Sequence, residues 1–313
     1  MSVREAVPRP LQRLGRLAYR QVTTATASLR LEPGFIMIGA HRCGTTSLFR
    51  ALAAHPQVVR PPFRKGINYF DLNYYRTADW YRGHFSVAAI ARRAAARYGG
   101  PVAFEASGYY MYHPFALERL AQDLPGVKLV AMLRDPVERA FSAYKHESAR
   151  GYEPESFERA LELEERRLAG EIDRMRDDPA YESFSHRHHS YLHRGRYAEQ
   201  LERAFAHFPR SQVHVIDSEA YFSQPAQEYQ RLLTFLGLCP FEPASFGRYN
   251  SRPGQAMTPA TRDMLSEYYA PHDERLAGLL GRPLHWTSSP QAARRPSRQA
   301  REGEMTRGQD PAR

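Results

Sequence analysis

The sequence predicts an α/β fold, a parallel sheet with helices on both faces in a single domain. Short apolar runs of strand length alternate with stretches whose apolar residues recur at helical spacing, the pattern of strands joined by crossover helices. No internal repeat is visible. The chain of 313 residues, 42% hydrophobic and 25% charged, is long enough to bury a substantial core.

In order along the chain, the apolar run 35–39 reads as a strand, enters a glycine-bounded loop, and is followed by helical spacing over 45–54. The run PVAFEAS, 101–107, precedes a helix over 115–123, and VKLVAML, 127–133, precedes one over 137–149. A helix over 197–208, the strand QVHVID at 212–217 and a helix over 226–236 complete the series. Ligands of such sheets bind beyond the carboxyl ends of the strands, so the loops after Gly39, Glu105 and Leu133 are expected to meet at one site. The folded domain is expected over 34–286, between a basic, partly disordered N-terminal segment, 1–33, and a basic tail, 287–313, of disordered composition.

The net charge of +10 points to an anionic partner but does not choose among them. The arginine-rich tail reads as solvated, so nucleic acid is not the expected partner. No apolar run reaches membrane-spanning length and the N-terminus lacks a signal-peptide core, which predicts a cytoplasmic location. Two cysteines, Cys43 and Cys239, are too few for a disulfide framework. Nothing in the sequence sets an oligomeric state.

Two stretches carry chemistry. In GAHRCGTTS, the residues Gly44, Thr45, Thr46 and Ser47 lead from a strand into a helix, so backbone N–H groups, hydroxyls and the helix dipole converge on one place. That context makes the sheet P-loop-like, and a plain tight turn is the poorer reading. A nucleotide-hydrolase loop would carry lysine where Thr45 stands; here the cation, Arg42, precedes Cys43 and the second glycine. In LRDPVERAFSAY, Arg134 ends a strand, Pro136 starts a helix, and Ser142 lies two turns along it, which together can grip a second phosphate. A surface ion pair of Arg134 with Glu138 or Asp135 explains this stretch equally well when it is taken alone.

Together these stretches resemble the sulfotransferases that use 3′-phosphoadenosine-5′-phosphosulfate (PAPS), above all their bacterial and heparan-sulfate-like branch. The segments KGINYFD, FEASGYY, SYLHRGRYAEQL and LLTFLGL add to the likeness, which runs from about Phe35 to Trp286. The resemblance implies sulfuryl transfer from PAPS to a hydroxyl of a carbohydrate, glycolipid or secondary metabolite, without a metal. It implies that Arg42, Cys43, Gly44, Thr45, Thr46 and Ser47 hold the 5′-phosphosulfate, that Arg134 and Ser142 hold the 3′-phosphate, and that Lys65 lies by the transferring group. Rival readings are a P-loop kinase or nucleotide hydrolase, disfavoured by the missing loop lysine, and a non-enzymatic anion-binding module.

The chain departs from the family at two places. Many members carry lysine where Arg42 stands, and arginine keeps the charge but does not shuttle a proton. In the heparan-sulfate branch a glutamate base follows the lysine, and here that position is Gly66. Glu105, at a strand end, is the expected replacement, with Asp71 and His113 as alternatives. Asp71, Tyr109 and His113 are expected to face the acceptor. The stretch HRHHSYLH invites a metal reading through His189 and His193, but without cysteine or a His-Glu motif an acceptor-facing loop or a solvated turn is preferred.

Overall fold

A computed structural model describes residues 20–62, 65–249 and 256–287. The predicted tail beyond Thr287 and the first nineteen residues of the predicted N-terminal segment lie outside that range.

Five strands, β1 (Pro33–Gly39), β2 (Val58–Val59), β3 (Val102–Ala106), β4 (Lys128–Leu133) and β5 (Val213–Asp217), form one parallel sheet in the order β2-β3-β1-β4-β5. Successive side chains of a strand point to opposite faces, and Phe35, Ile36, Met37 and Ile38 are all buried. Both faces of β1 are therefore covered, as a central parallel strand requires. Burying each such side chain contributes about 1.5–3 kcal/mol relative to leaving it in water.

The longer helices are α1 (Thr45–Ala53), α2 (Ala116–Asp123), α3 (Pro136–Ser148), α4 (Phe157–Leu168), α5 (Tyr197–His207), α6 (Pro225–Leu236) and α7 (Pro259–Leu280); α4 packs with α3 and α7 in a second apolar cluster around Phe157, Leu161 and Leu265. The strands and helices read from the sequence fall within a residue or two of these bounds. Helix α3 starts as its sequence dictates: Asp135 accepts a hydrogen bond from the Val137 N–H at 2.9 Å and Pro136 occupies the first turn.

Strand β2 and helices α4 and α7 are among the elements that escaped the sequence pattern. Strand β2 has only two residues, too few to show a period. Helices α4 and α7 carry N-caps, Ser156 and Thr258, which accept from the N–H groups three residues on at 3.2 Å each. The N-terminal boundary also shifts. Within the expected tail, Thr23 and Ala27 are buried and Arg30 donates to the Phe85 carbonyl at 2.6 Å, so residues 20–33 pack against the domain. At the other end Leu284 and Trp286 join the main core.

Because all strands are parallel, the loops after β1, β3 and β4 leave the same sheet edge. β3 and β4 flank β1 on opposite sides, so the connections diverge from β1 and leave a crevice at its carboxyl end.

Candidate active site

That crevice is a cavity of about 590 Å³, lined by the loops after β1, β3 and β4, the exposed face of α3, and the segments carrying Arg194 and Arg248. The three loops expected to meet do meet there.

The loop after β1 turns through positive φ at Arg42 (72°) and Gly44 (90°). Glycine at 44 answers two needs at once. It takes the left-handed backbone without strain, and a Cβ there would sit 2.9 Å from the Phe222 ring. Past the turn, Thr45 and Thr46 open α1 with their hydroxyls toward the cavity, where Lys65 Nζ donates to them at 3.1 and 3.4 Å. Burial pushes the Lys65 ammonium down to about 8, since its partners are neutral hydroxyls.

The second anion element meets the first directly. Arg42 Nε donates to Ser142 Oγ at 3.1 Å, joining the loop after β1 to the second turn of α3. Arg134, at the end of β4, lies 3.6 Å from Glu138 and 3.9 Å from Glu219, loose ion pairs that a doubly charged phosphate can outcompete. Glu219 itself is pushed up to about 7, chiefly by burial and then by Asp217.

Two loop residues hold the loop instead of facing the cavity. The Cys43 thiol is buried, pushed up to about 11 by desolvation, and lies 3.5 Å from the Tyr197 hydroxyl, which donates to the Arg134 carbonyl at 3.0 Å. Ser47 Oγ accepts from the Tyr249 N–H at 3.1 Å and is buried. The Cys43 side chain thus ties the loop to the end of β4 through Tyr197, and Ser47 ties the start of α1 to Tyr249; neither side chain lines the cavity, a correction to their expected contact with the donor.

The expected carboxylate base is also corrected. Glu105 is fully buried beneath the cavity floor, where its carboxyl accepts from the Ile67 N–H at 2.7 Å, the Tyr110 hydroxyl at 2.8 Å and the Tyr81 hydroxyl at 3.2 Å. No acceptor can reach it. Asp71 is buried as well, accepting from Asn68 Nδ2, Ser107 Oγ and the Leu72 N–H at 3.0, 2.9 and 2.7 Å. The third alternative, His113, is held down to about 3 by burial and accepts the Phe115 N–H at 3.2 Å. All three are framework groups: sequence position put them near the right sheet edge, but their side chains turn under it. Of the three expected acceptor contacts only Tyr109 lines the cavity, its hydroxyl 2.7 Å from His186 Nδ1.

Gly66 explains why the glutamate is missing. A Cβ at that position would lie 2.5 Å from the Ala106 carbonyl oxygen, so this backbone path closes the place to any side chain.

Cavity residues not foreseen include His41, Lys145, His146, Glu147, Arg194 and Arg248. For Lys145 and His146 a signal existed: they lie three and four residues beyond Ser142 on the same face of α3. Arg194 is set by Glu164, which accepts the backbone N–H groups of Tyr191, Leu192 and His193 at 2.7, 2.6 and 2.9 Å and fixes that turn. The guanidinium of Arg194 then lies 4.9 Å from the Tyr109 ring centroid. The histidines of 186–193 do not converge: His189 pairs with the Tyr152 carbonyl at 2.9 Å, and His193 lies 3.3 Å from Glu165. Among the described residues one group has metal-like spacing, with ligand atoms of His41, His146 and Glu147 all within 4.8 Å of one another. Arg42, Arg139 and Arg194 all act on the His41 ring, a field that opposes a divalent cation there.

Comparisons with known proteins identify the family and the fold. The solved structure of a sulfotransferase from Alicyclobacillus acidocaldarius is 32% identical with a TM-score of 0.60, covering 81% of this chain and 98% of that one. A bifunctional heparan sulfate N-deacetylase/N-sulfotransferase of Drosophila melanogaster is 27% identical over 84% of this chain, and a membrane-associated sulfotransferase, kil1, of Dictyostelium discoideum is 26% identical over 81%. The matched part is 26% of the Drosophila protein and 66% of the Dictyostelium protein, so the chain spans only part of these relatives' length. No helix among the described residues is long and apolar enough to cross a membrane. Residues 32–250 match the family described as the sulfotransferase domain, and the chain belongs to the sulfotransferases.

Proposed function

We propose that the chain transfers a sulfuryl group from PAPS to a hydroxyl of a carbohydrate or small-molecule acceptor, releasing 3′-phosphoadenosine-5′-phosphate (PAP), without a metal ion. The observation that carries this reading is the Arg42–Ser142 hydrogen bond at 3.1 Å, which makes the two anion-binding elements one surface for a nucleotide charged at both ends. Arg42, Lys65, Thr45, Thr46 and the loop amides hold the 5′-phosphosulfate; Arg134 and Ser142 hold the 3′-phosphate.

Sulfuryl transfer, like phosphoryl transfer, passes through a loose in-line transition state with charge on peripheral and bridging oxygens. Fixed cations therefore supply most of the acceleration. Lys65 meets the Thr45 and Thr46 hydroxyls while Arg42 meets Ser142, so one can meet the peripheral oxygens while the other faces the bridging oxygen as it takes up charge. Similarity to heparan sulfate N-deacetylase/N-sulfotransferases supports a carbohydrate acceptor.

The test is transfer of label from [35S]PAPS to a panel of glycans, glycolipids and phenolic metabolites, with and without chelator. Label transfer that survives chelation is expected. A requirement for magnesium, with ATP binding as tightly as PAP, would instead favour the kinase or hydrolase reading. Binding that is steep in salt and blind to PAP would favour an anion-binding module.

A further inference from the structure

With Gly66 closed to a side chain and Glu105, Asp71 and His113 beneath the floor, the acceptor's proton needs another destination. Glu138 and Glu219 flank Arg134 at the 3′-phosphate side. Beside Arg42, where the transferring group would lie, the proton acceptors on the cavity wall are His41, His146, Glu147 and His188. The His41 and His146 rings meet edge to face with centroids 5.6 Å apart. Behind them Glu147 is buried and held below the usual carboxylate range, through its contact with His188, whose Nδ1 lies 3.0 Å away.

We propose that His41 and His146 act as one general base, taking up a single proton between them from the acceptor hydroxyl, with the buried Glu147 carboxylate stabilising the imidazolium formed. The proposal rests on reading this cavity as the site of sulfuryl transfer from PAPS. In the step, the acceptor O–H bond breaks and its proton goes to an imidazole nitrogen as the new O–S bond forms. The S–O bond to the 5′-phosphate breaks, and its electron pair stays on the phosphate oxygen of PAP.

The surroundings decide why one proton is shared. Burial and then Arg194, Arg42, His146 and Arg139 hold the His41 imidazole neutral, so two adjacent imidazolium ions would be strongly disfavoured. Arg150 and Lys145 add to that positive field from the α3 side, and Glu147 is the carboxylate that opposes it. A donor seated on Arg42 brings negative charge that offsets the arginine, so the pair gains basicity only when the donor is bound. Proton removal is thereby linked to the presence of the group to be transferred.

The linkage gives a readout that needs no acceptor. PAP is titrated into the full-length chain by calorimetry at pH 6.5 in two buffers of different ionisation enthalpy, for the unaltered protein and for His41→Gln, His146→Gln and the double variant. The unaltered chain is expected to take up about half a proton more on binding PAP than the double variant does, with Kd changed less than about threefold, as linkage requires. Hydrolysis of [35S]PAPS, in which water stands in for the acceptor, should fall about 10²-fold in the double variant with unchanged PAP affinity. Equal proton uptake overturns the proposal, and so does PAP affinity falling in step with turnover, which marks a structural role. If the double variant does not fold, each single variant must still reduce the uptake. Failure of the unaltered chain to bind PAP is a separate result, and it overturns the donor assignment itself.

Discussion

Replacing Glu105 with glutamine separates its framework role from a catalytic one. Burial pushes this carboxyl up to about 7 from its ordinary value of 4.5, against the opposing effect of its three hydrogen-bond donors. Its folded pKa is therefore raised, the reverse of the usual carboxylate case. Between pH 4.5 and 7 the folded state binds the extra proton, so stability is greatest below the unfolded value and declines as pH rises through the folded one. At 1.36 kcal/mol per unit, the decline attributable to this group is about 3 kcal/mol. Glutamine carries no proton to lose, and its amide leaves one of the three donors without an acceptor, which costs about 1–3 kcal/mol. Urea unfolding at pH 5 and 7.5 should accordingly find the variant less stable than the unaltered chain at pH 5 and level with it, or more stable, at pH 7.5. Asp71 is also raised by burial and lies close enough to raise Glu105, so Asp71→Asn is measured alongside to separate the two slopes. PAP affinity and turnover should stay within a few-fold at pH 7.5. A pH-independent difference between the two proteins would refute the burial argument, and a 10²-fold loss of turnover in a stable variant would restore Glu105 as the base.

The other expectations concern the cavity itself. Arg42→Ala should lower turnover about 10²-fold or more, by removing positive charge from the cavity, and Arg42→Lys should recover most of it; steady-state rates with [35S]PAPS decide. Ser142→Ala should weaken PAP about five- to tenfold while leaving 5′-AMP binding unchanged, the cost of one charge-assisted hydrogen bond on the 3′ side, read by calorimetry. Gly66→Ala should destabilise the fold by about 1–3 kcal/mol because its Cβ meets the Ala106 carbonyl at 2.5 Å, and unaltered stability would show that the segment moves freely. Lys65, held down to about 8, should make PAP affinity fall as pH rises from 8 to 10, with proton uptake on binding near pH 8 to 9, and Lys65→Met should abolish both.

Sheet, helices and both anion loops were legible because their signals are local. An apolar run, a Gly-x-x-x-x-Gly turn and a Pro at a helix start each dictate structure within a few residues. Glu105 shows where locality ends. Its place at the end of β3 was visible, but strand residues alternate in direction, and which face the carboxyl takes depends on Ile67, Tyr81 and Tyr110, brought in from other segments. His41 and His146 lie 105 positions apart and become neighbours only because α3 runs beside the loop after β1. Arg194 is aimed by Glu164, a carboxylate thirty residues away whose partners are backbone groups, so no side-chain pattern announces it.

The site's charges explain how the two departures from the family fit together. Arg42, Lys65, Arg134 and Arg194 share one cavity, and the carboxylates that line it, Glu138, Glu147 and Glu219, stand near Arg134 or behind the histidines. Beside the transferring group the field is therefore positive, as a sulfuryl donor requires. A carboxylate base placed at position 66, next to Lys65, would neutralise part of that field before the donor arrived. An imidazole pair costs no negative charge, because it is neutral until the acceptor's proton reaches it. Closing position 66 against the Ala106 carbonyl and keeping the proton acceptors uncharged are then two sides of one arrangement: the cavity keeps its attraction for the donor, and the proton is removed by groups that the bound donor itself makes basic.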